Sequence, residues 1–274
     1  MKHLSRAYLI LIFGILYIPI LTLILFSFNS ANSTAVFDGF SLRWYKELFN
    51  SPETFTALRN TLILALLSAT LSTVIGTAAA EGIHKMKSKL LKSSVKSVTN
   101  IPMMNPDIVT GMSMMLFFVL VAGILAVSYD DMGFAAMLIA HTTFCLPYVI
   151  LSVLPRVNEL GKSLSEAAMD LGCTPLQSFF KVELPNIMPG VLTGFIMAFT
   201  LSLDDFVISY FVGSSKFQTL PLLIYSMTKK KVTPDMYALS TLIIVAIFTL
   251  LIISNVRGEK EKKRTQKKAG GNKR

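Results

Sequence analysis

Ser163-Leu164-Ser165-Glu166-Ala167-Ala168-Met169-Asp170-Leu171-Gly172-Cys173-Thr174-Pro175-Leu176-Gln177-Ser178-Phe179-Phe180-Lys181-Val182-Glu183-Leu184-Pro185 is the most heavily punctuated stretch of this 274-residue chain. Ser163 followed three residues later by Glu166 is a capping box, in which hydroxyl and carboxylate each satisfy an amide at a helix start. Gly172 is placed to stop that helix, because glycine tolerates the left-handed conformation past a helix end. Thr174 and Gln177 form a second capping box, with Pro175 at the first helical position, where its missing amide costs nothing. The second helix is expected to end before Pro185, with Pro189 and Gly190 ahead of the next apolar run. Two short helices meeting at an angle then carry Leu176, Phe179 and Phe180 out of a polar loop. Adjacent phenylalanines in such a loop need cover, either from the chain's own helix ends or from a docked partner.

The sequence on either side sets where this element sits. Hydrophobic residues make up 53% of the chain and charged residues 15%, where a soluble domain averages about 25% charged. The apolar residues come in runs near the roughly 20 residues needed to cross hydrocarbon. Six such spans are expected at about 7–28, 60–80, 106–127, 133–154, 191–212 and 236–256. The fold expected is therefore all-α, a polytopic membrane bundle of six transmembrane helices. Residues 1–256 form one membrane domain, the punctuated connection occupies about 155–190, and 257–274 is a basic tail expected to be disordered beside anionic lipid. The first run lacks a small-residue cleavage site and is expected to stay attached as an anchor.

The formal net charge of +10 comes from loops and tail rather than from a basic stripe on a folded domain, so no nucleic-acid partner is expected. Cys145 and Cys173 form no CxxC pair, and neither metal nor redox work is expected of them. With the N-terminus inside, the inner segments collect Lys2, Arg6, Lys85, Lys87, Lys89, Lys92, Lys96, Arg156, Lys162, Lys181 and the nine basic residues of the tail. The outer segments hold Arg43, Lys46, Arg59, Lys216 and the cluster Lys229, Lys230, Lys231, which runs against the trend too late in the chain to reverse it. Both termini are thus expected inside. Pro102 and Pro106 around Asn105 must break the start of the third span, and broken backbone at membrane depth needs protein or a wet cavity beside it.

The punctuated stretch resembles a known family. Glu166, Ala167 and Ala168, then Gly172, then Leu184 and Pro185 resemble the EAA loop of binding-protein-dependent ABC importer permeases. The chain is similar to that family through its six-span layout as well. It resembles in particular spermidine/putrescine permease subunits of the PotC type, through Ser202-Leu203-Asp204-Asp205-Phe206-Val207-Ile208 and Thr219-Leu220-Pro221. The resemblance implies a type I importer permease fold in a bacterial inner membrane. It also implies a cytoplasmic ATPase in two copies, a second homologous permease, an extracellular or periplasmic binding protein, and a polyamine substrate. Glu166, Ala167, Ala168, Gly172, Phe179, Leu184 and Pro185 would then face the ATPase.

Catalytic signatures are absent from the sequence. Gly161-Lys162-Ser163 matches the end of a phosphate loop, but the glycine required five positions earlier is Arg156. The chain is expected to be a transport subunit rather than an enzyme, with no cofactor of its own. Ionisable residues within spans are functional candidates because they are costly unless they face the bundle or a wet cavity. These are Asp107, His141, Asp204 and Asp205. The single imidazole of His141 suits an interhelical hydrogen bond. Consecutive aspartates on a helix point about 100° apart, so one faces a pathway and the other a neighbouring helix, in an order the sequence leaves open. Phe206, Tyr210 and Phe211 follow the acids, and aromatic faces favour organic cations. Ser202 joins the pathway candidates through the shared motif. Trp44, beside Tyr45 and Phe49, reads as an interfacial anchor or as a contact on the pathway. Gly190, Gly194 and Ala198 recur every four residues, a face for close helix packing within the bundle or between permeases. Ferric iron as cargo, or an ATP-independent secondary transporter, are the competing readings.

The orientation is testable directly. A cysteine introduced at position 34 should react with an impermeant thiol reagent on intact cells and one at position 90 should not; outside labelling at 90 would invert the topology.

Overall fold

A computed structural model describes residues 2–31, 36–161, 163–230, 235–245 and 248–249. The basic tail 257–274, the end of the sixth span, Lys162, Lys231 and position 34 lie outside the described residues. Among those described, regular structure is helical apart from two single-residue bridges, Asn29 with Phe40 and Ser214 with Phe217. The helices are α1 Lys2–Phe26, α2 Arg43–Asn50, α3 Pro52–Lys85, α4 Lys89–Met104, α5 Asp107–Leu125, α6 Tyr129–Leu160, α7 Ser163–Asp170, α8 Pro175–Ser178, α9 Leu184–Asp204, α10 Val207–Val212, α11 Leu220–Lys230 and α12 Asp235–Val245. A π-turn over Phe179–Glu183 joins α8 to α9.

Five helical stretches are long and apolar enough to cross a membrane, Tyr8–Phe26, Pro52–Lys85, Asp107–Leu125, Tyr129–Leu160 and Pro175–Asp204, and α12 is the described part of the sixth. The segment after the second span holds a helix of its own: Ser88 accepts the Leu91 N–H and starts α4, which Asn105 caps just before Pro106. One expectation changes, because the second helix of the punctuated stretch does not stop before Pro185. It runs on through the π-turn into α9, so that Pro185 falls directly after the widened turn, where the regular ladder is already shifted and its missing N–H removes little. The fifth crossing stretch therefore ends at Asp204, and α10 is a separate piece.

The described residues divide into two compact units, those within 2–58 together with those within 220–249, and those within 59–219. The first has a small core of Leu48, Ala57, Leu220, Leu223 and Leu239. The second is built around α6, whose Met137, Ala140, Cys145, Val149 and Val153 are fully buried. At 32 residues α6 is about 48 Å long, more than hydrocarbon requires, so its far end projects beyond the apolar layer.

The small residues on α9 are the seam against α6. A Cβ on Gly194 would lie 3.3 Å from Val149 Cα, and one on Gly190 would lie 2.9 Å from the Ser152 carbonyl oxygen and 2.7 Å from Arg156 Cγ. Cys145 Sγ–H donates to the Ala198 carbonyl at 3.4 Å, one turn further along. Of the two uses expected for this face, the structure places it within the bundle. Replacing Gly190 by Ala should cost about 1–3 kcal/mol of stability, because backbone as well as side chain must shift. Gly82, with nothing within 4 Å of its added Cβ, should gain about 0.5–1 kcal/mol from the same change. Thermal unfolding in detergent distinguishes the two; equal midpoints would count against the seam.

Candidate functional site

The punctuated stretch forms a compact double helix turn. α7 ends in a Schellman arrangement: Cys173 N–H donates to the Ala168 carbonyl at 3.1 Å and Gly172 N–H to the Met169 carbonyl at 2.9 Å, with Gly172 at φ +91°. Both halves of the second capping box are present, Gln177 N–H to Thr174 Oγ1 at 3.3 Å and Thr174 N–H to Gln177 Oε1 at 3.1 Å. Ser165 Oγ lies 3.2 Å from the buried Ser178 Oγ and ties α7 to α8, a link between two ordinary-looking serines that the sequence does not single out. Ala168 packs inward, whereas Glu166 and Ala167 are exposed. Leu171, Leu176 and Phe180 are 88%, 72% and 61% exposed, so the apolar cover that Leu176 and Phe180 need does not come from this chain's described residues. Phe179 is half-buried edge-on against Phe180, Leu184 is half-buried, and Pro185 is exposed.

Beneath this element lies an acidic cluster. Lys85, past the apolar part of α3, is 2.8 Å from Glu81 Oε1 and 3.7 Å from Glu183 Oε2, and both glutamates are buried. The Glu81 hydrogen bond is the main influence raising the Lys85 pKa above the ordinary lysine value, and Glu183 adds to it while burial opposes. These three residues, His84 and Glu166 line a cavity of about 190 Å³. Glu81 and Lys85 are an i,i+4 pair visible in sequence; Glu183 joins them only because the π-turn carries it there.

The second constellation surrounds the break after α9. Asp204 is exposed, and Asp205 is withdrawn, its side chain only 7% exposed. Asp205 Oδ1 accepts the Ile208 N–H at 3.2 Å and Oδ2 the Ser209 N–H at 2.8 Å, so the carboxylate closes the first turn of α10. Its Oδ2 also lies 3.5 Å from His141 Nε2. His141, buried on α6, reaches Ser202 Oγ with Nδ1 at 2.7 Å and Ser209 Oγ with Nε2 at 3.1 Å. Ser68 on α3 donates to Ser202 at 2.9 Å. Ser202 is thus an internal hydrogen-bonding residue, and Ser68 and Ser209 are the partners that sequence reading missed. The order of the aspartates follows: Asp205 faces its neighbours and Asp204 faces outward. Phe206 and Tyr210, next along the chain, pair with ring centroids 5.5 Å apart and planes tilted by 36°, with Tyr210 45% exposed.

Asp107 is exposed in the first turn of α5, just past the break at Asn105 and Pro106. One turn on, a Cβ added to Gly111 would lie 3.0 Å from the Phe211 ring, so α5 packs directly on α10 and the two broken spans meet. Trp44 differs from its expected place. It is 6% exposed within the first unit, its indole N–H donates to the Asn29 carbonyl at 2.6 Å, and the Arg43 guanidinium sits 5.1 Å from its ring centroid. Burial with a satisfied N–H makes it a core residue rather than an anchor or a pathway contact. No group of three or more potential metal ligands occurs among the described residues.

Comparison with known proteins agrees with this architecture. The putrescine transport system permease protein PotI of Escherichia coli strain K12 is 40% identical over 240 residues, 87% of this chain and 85% of that protein. The spermidine/putrescine transport system permease protein PotC of Haemophilus influenzae is 37% identical over 253 residues, covering 92% and 95%. Among solved structures, a bacterial ABC transporter involved in the import of the acidic polysaccharide alginate aligns with a TM-score of 0.74 at 16% identity, over 94% of this chain and 98% of that one. The inward-facing methionine ABC transporter MetNI aligns with a TM-score of 0.60 at 19% identity, over 77% and 98%. At these identities the structures speak to fold alone. Residues 72–257 match the family described as binding-protein-dependent transport system inner membrane component, and with the two broken spans and the capped double turn in place the chain belongs to that family, as a multi-pass permease subunit of an ABC importer.

Proposed function

We propose that this permease subunit imports polyamines, spermidine or putrescine, across a bacterial inner membrane with both termini in the cytoplasm. The observation that carries the proposal is the division of labour at the break: one aspartate is withdrawn, and the other, Asp204, stands exposed, with the Phe206 and Tyr210 ring pair following directly in sequence. An exposed carboxylate with aromatic rings close by in the chain suits a protonated aliphatic amine. Asp107, at the other break, adds a second exposed carboxylate on a helix that packs against the same α10. An inside-negative potential favours inward movement of such a cation by about 2.3 kcal/mol per charge per 100 mV. The names of the putrescine and spermidine/putrescine relatives support the same cargo.

In this reading residues 1–256 are one membrane domain forming half of the pathway with a second, homologous permease. ATP is hydrolysed by a separate cytoplasmic ATPase in two copies, and a binding protein outside delivers the amine. The docking surface is the double turn of α7 and α8, with Glu166, Ala167, Gly172, Phe179, Leu184 and Pro185 on or around it and Ala168 holding it to the bundle. Exposed Leu171, Leu176 and Phe180 support a partner there, since apolar side chains of this size are otherwise left in water. The helix continuing from α8 into α9 would carry ATPase closure to the break at Asp205.

Two experiments test the two halves. Gly172→Val forces a β-branched residue into a left-handed conformation that costs about 1–2 kcal/mol, with no clash to relieve it. Substrate-stimulated ATP hydrolysis by the assembled complex should fall roughly tenfold, the rate equivalent of about 1.4 kcal/mol; an unchanged coupled rate would remove the docking role. Asp204→Asn should lower polyamine uptake by about the same factor while complex assembly stays at the parent level. Parent-like uptake of both spermidine and putrescine would overturn the amine pathway.

A further inference from the structure

We propose that His141 is a positioning residue of the pathway: by clamping the break between α9 and α10 it keeps Asp205 withdrawn, leaving Asp204 as the aspartate of that pair which meets the cargo. The inference rests on the amine reading of Asp204.

His141 touches both sides of the break from a third helix. Nδ1 reaches Ser202, three residues before Asp205, and Nε2 reaches Ser209, four residues after it, as well as Asp205 Oδ2. Ser68 lies 2.9 Å from Ser202, and in the imidazole tautomer that carries its proton on Nε2 that proton faces Ser209 and the Asp205 carboxylate. α6 supports the ring rigidly, because Met137, Ala140 and Cys145 around it are all fully buried and the α9 seam lies on the same helix.

A withdrawn carboxylate needs such a clamp. Two backbone N–H groups hold Asp205, but they belong to α10, a helix of six residues that could swing with it about the extended backbone at Asp205, φ −64° and ψ 122°. The imidazole ties both α10 and the carboxylate to α6, which does not take part in the break. Without that tie the Asp205 side chain is free to turn outward beside Asp204, and the site presents two mobile acids in place of one fixed acid and its aromatic neighbours.

Three substitutions separate positioning from packing. Glutamine's amide nitrogen can occupy the place of the imidazole Nε2, and asparagine's, one carbon shorter, the place of Nδ1. His141→Gln therefore keeps the contact with Ser209 and Asp205, His141→Asn keeps only the contact with Ser202, and His141→Leu keeps neither. Uptake of putrescine and spermidine by the complete complex in proteoliposomes should show a KM raised about tenfold for the Leu and Asn variants, with kcat within twofold of the parent. The Gln variant should be restored to within about threefold of the parent KM. If the Leu variant fails to assemble, the comparison of Gln with Asn still decides, since both are small polar residues that a packing role would not rank in this order. Equal KM values for Gln and Asn, or a parent-like KM for Leu, would overturn the clamp. Asp204→Asn, measured alongside, keeps the two ideas apart: parent-like uptake there defeats the amine pathway itself, whereas a defect there with parent-like His141 variants defeats this inference alone.

Discussion

In hydrocarbon a backbone N–H or C=O has no water to bond, so each interruption of a helix must be met by protein or by a wet cavity. This chain interrupts two helical runs, at Asn105 and Pro106 between α4 and α5 and at Asp205 and Phe206 between α9 and α10. The second break is satisfied from within by a chain of side chains. Asp205 takes the first amides of α10, His141 spans from Ser202 to Ser209, and Ser68 closes the chain from α3. Through Gly111 and Phe211 the helices that follow the two interruptions, α5 and α10, pack directly on each other. The exposed acids of the proposed pathway, Asp107 and Asp204, are each a residue or two from one of the interruptions.

The α6–α9 seam is what makes such a network possible. Glycine at 190 and 194 lets α9 approach until its backbone touches α6, and at that separation a histidine on one helix reaches a serine on the other directly. Larger residues along the seam would hold Ser202 out of reach of His141. The polar cluster and the apolar seam are therefore one construction, in which close packing along α9 sets the distance that hydrogen bonding at its end requires.

Much of this was legible in sequence because it rests on local chemistry. Gly172 had a left-handed role by residue type, and Thr174, Pro175 and Gln177 spelled out a helix start that the structure reproduces bond for bond. Where the reading departed, a longer-range factor decided. Pro185 looked like a stop because a regular α-turn excludes it, yet a π-turn upstream lets the helix continue. The aspartates could not be ordered from a 100° rotation alone, since the backbone leaves the helix at Asp205 and the orientation depends on His141, 64 positions earlier in the chain. Trp44 looked like an anchor by its neighbours and turned out to be held by the Asn29 carbonyl, a contact that no spacing rule encodes.

The continuity of Pro175 to Asp204 gives the two proposed sites of the second unit a mechanical relation. Thirty residues of helix extend about 45 Å, with one wide turn near the N-terminal end and no loop in between. Buried Glu183 within that wide turn is paired to Lys85 of α3, so the turn is held to another helix at the point where the helix is least regular. A rod held there would pass any displacement of its short arm, α8, to its long arm, α9, whose last residue, Asp204, precedes the extended backbone at Asp205. The break at Asp205 is where such motion can be taken up without unravelling a regular turn. The polar clamp around it therefore sits at the joint between a lever and the exposed acid that the lever would move.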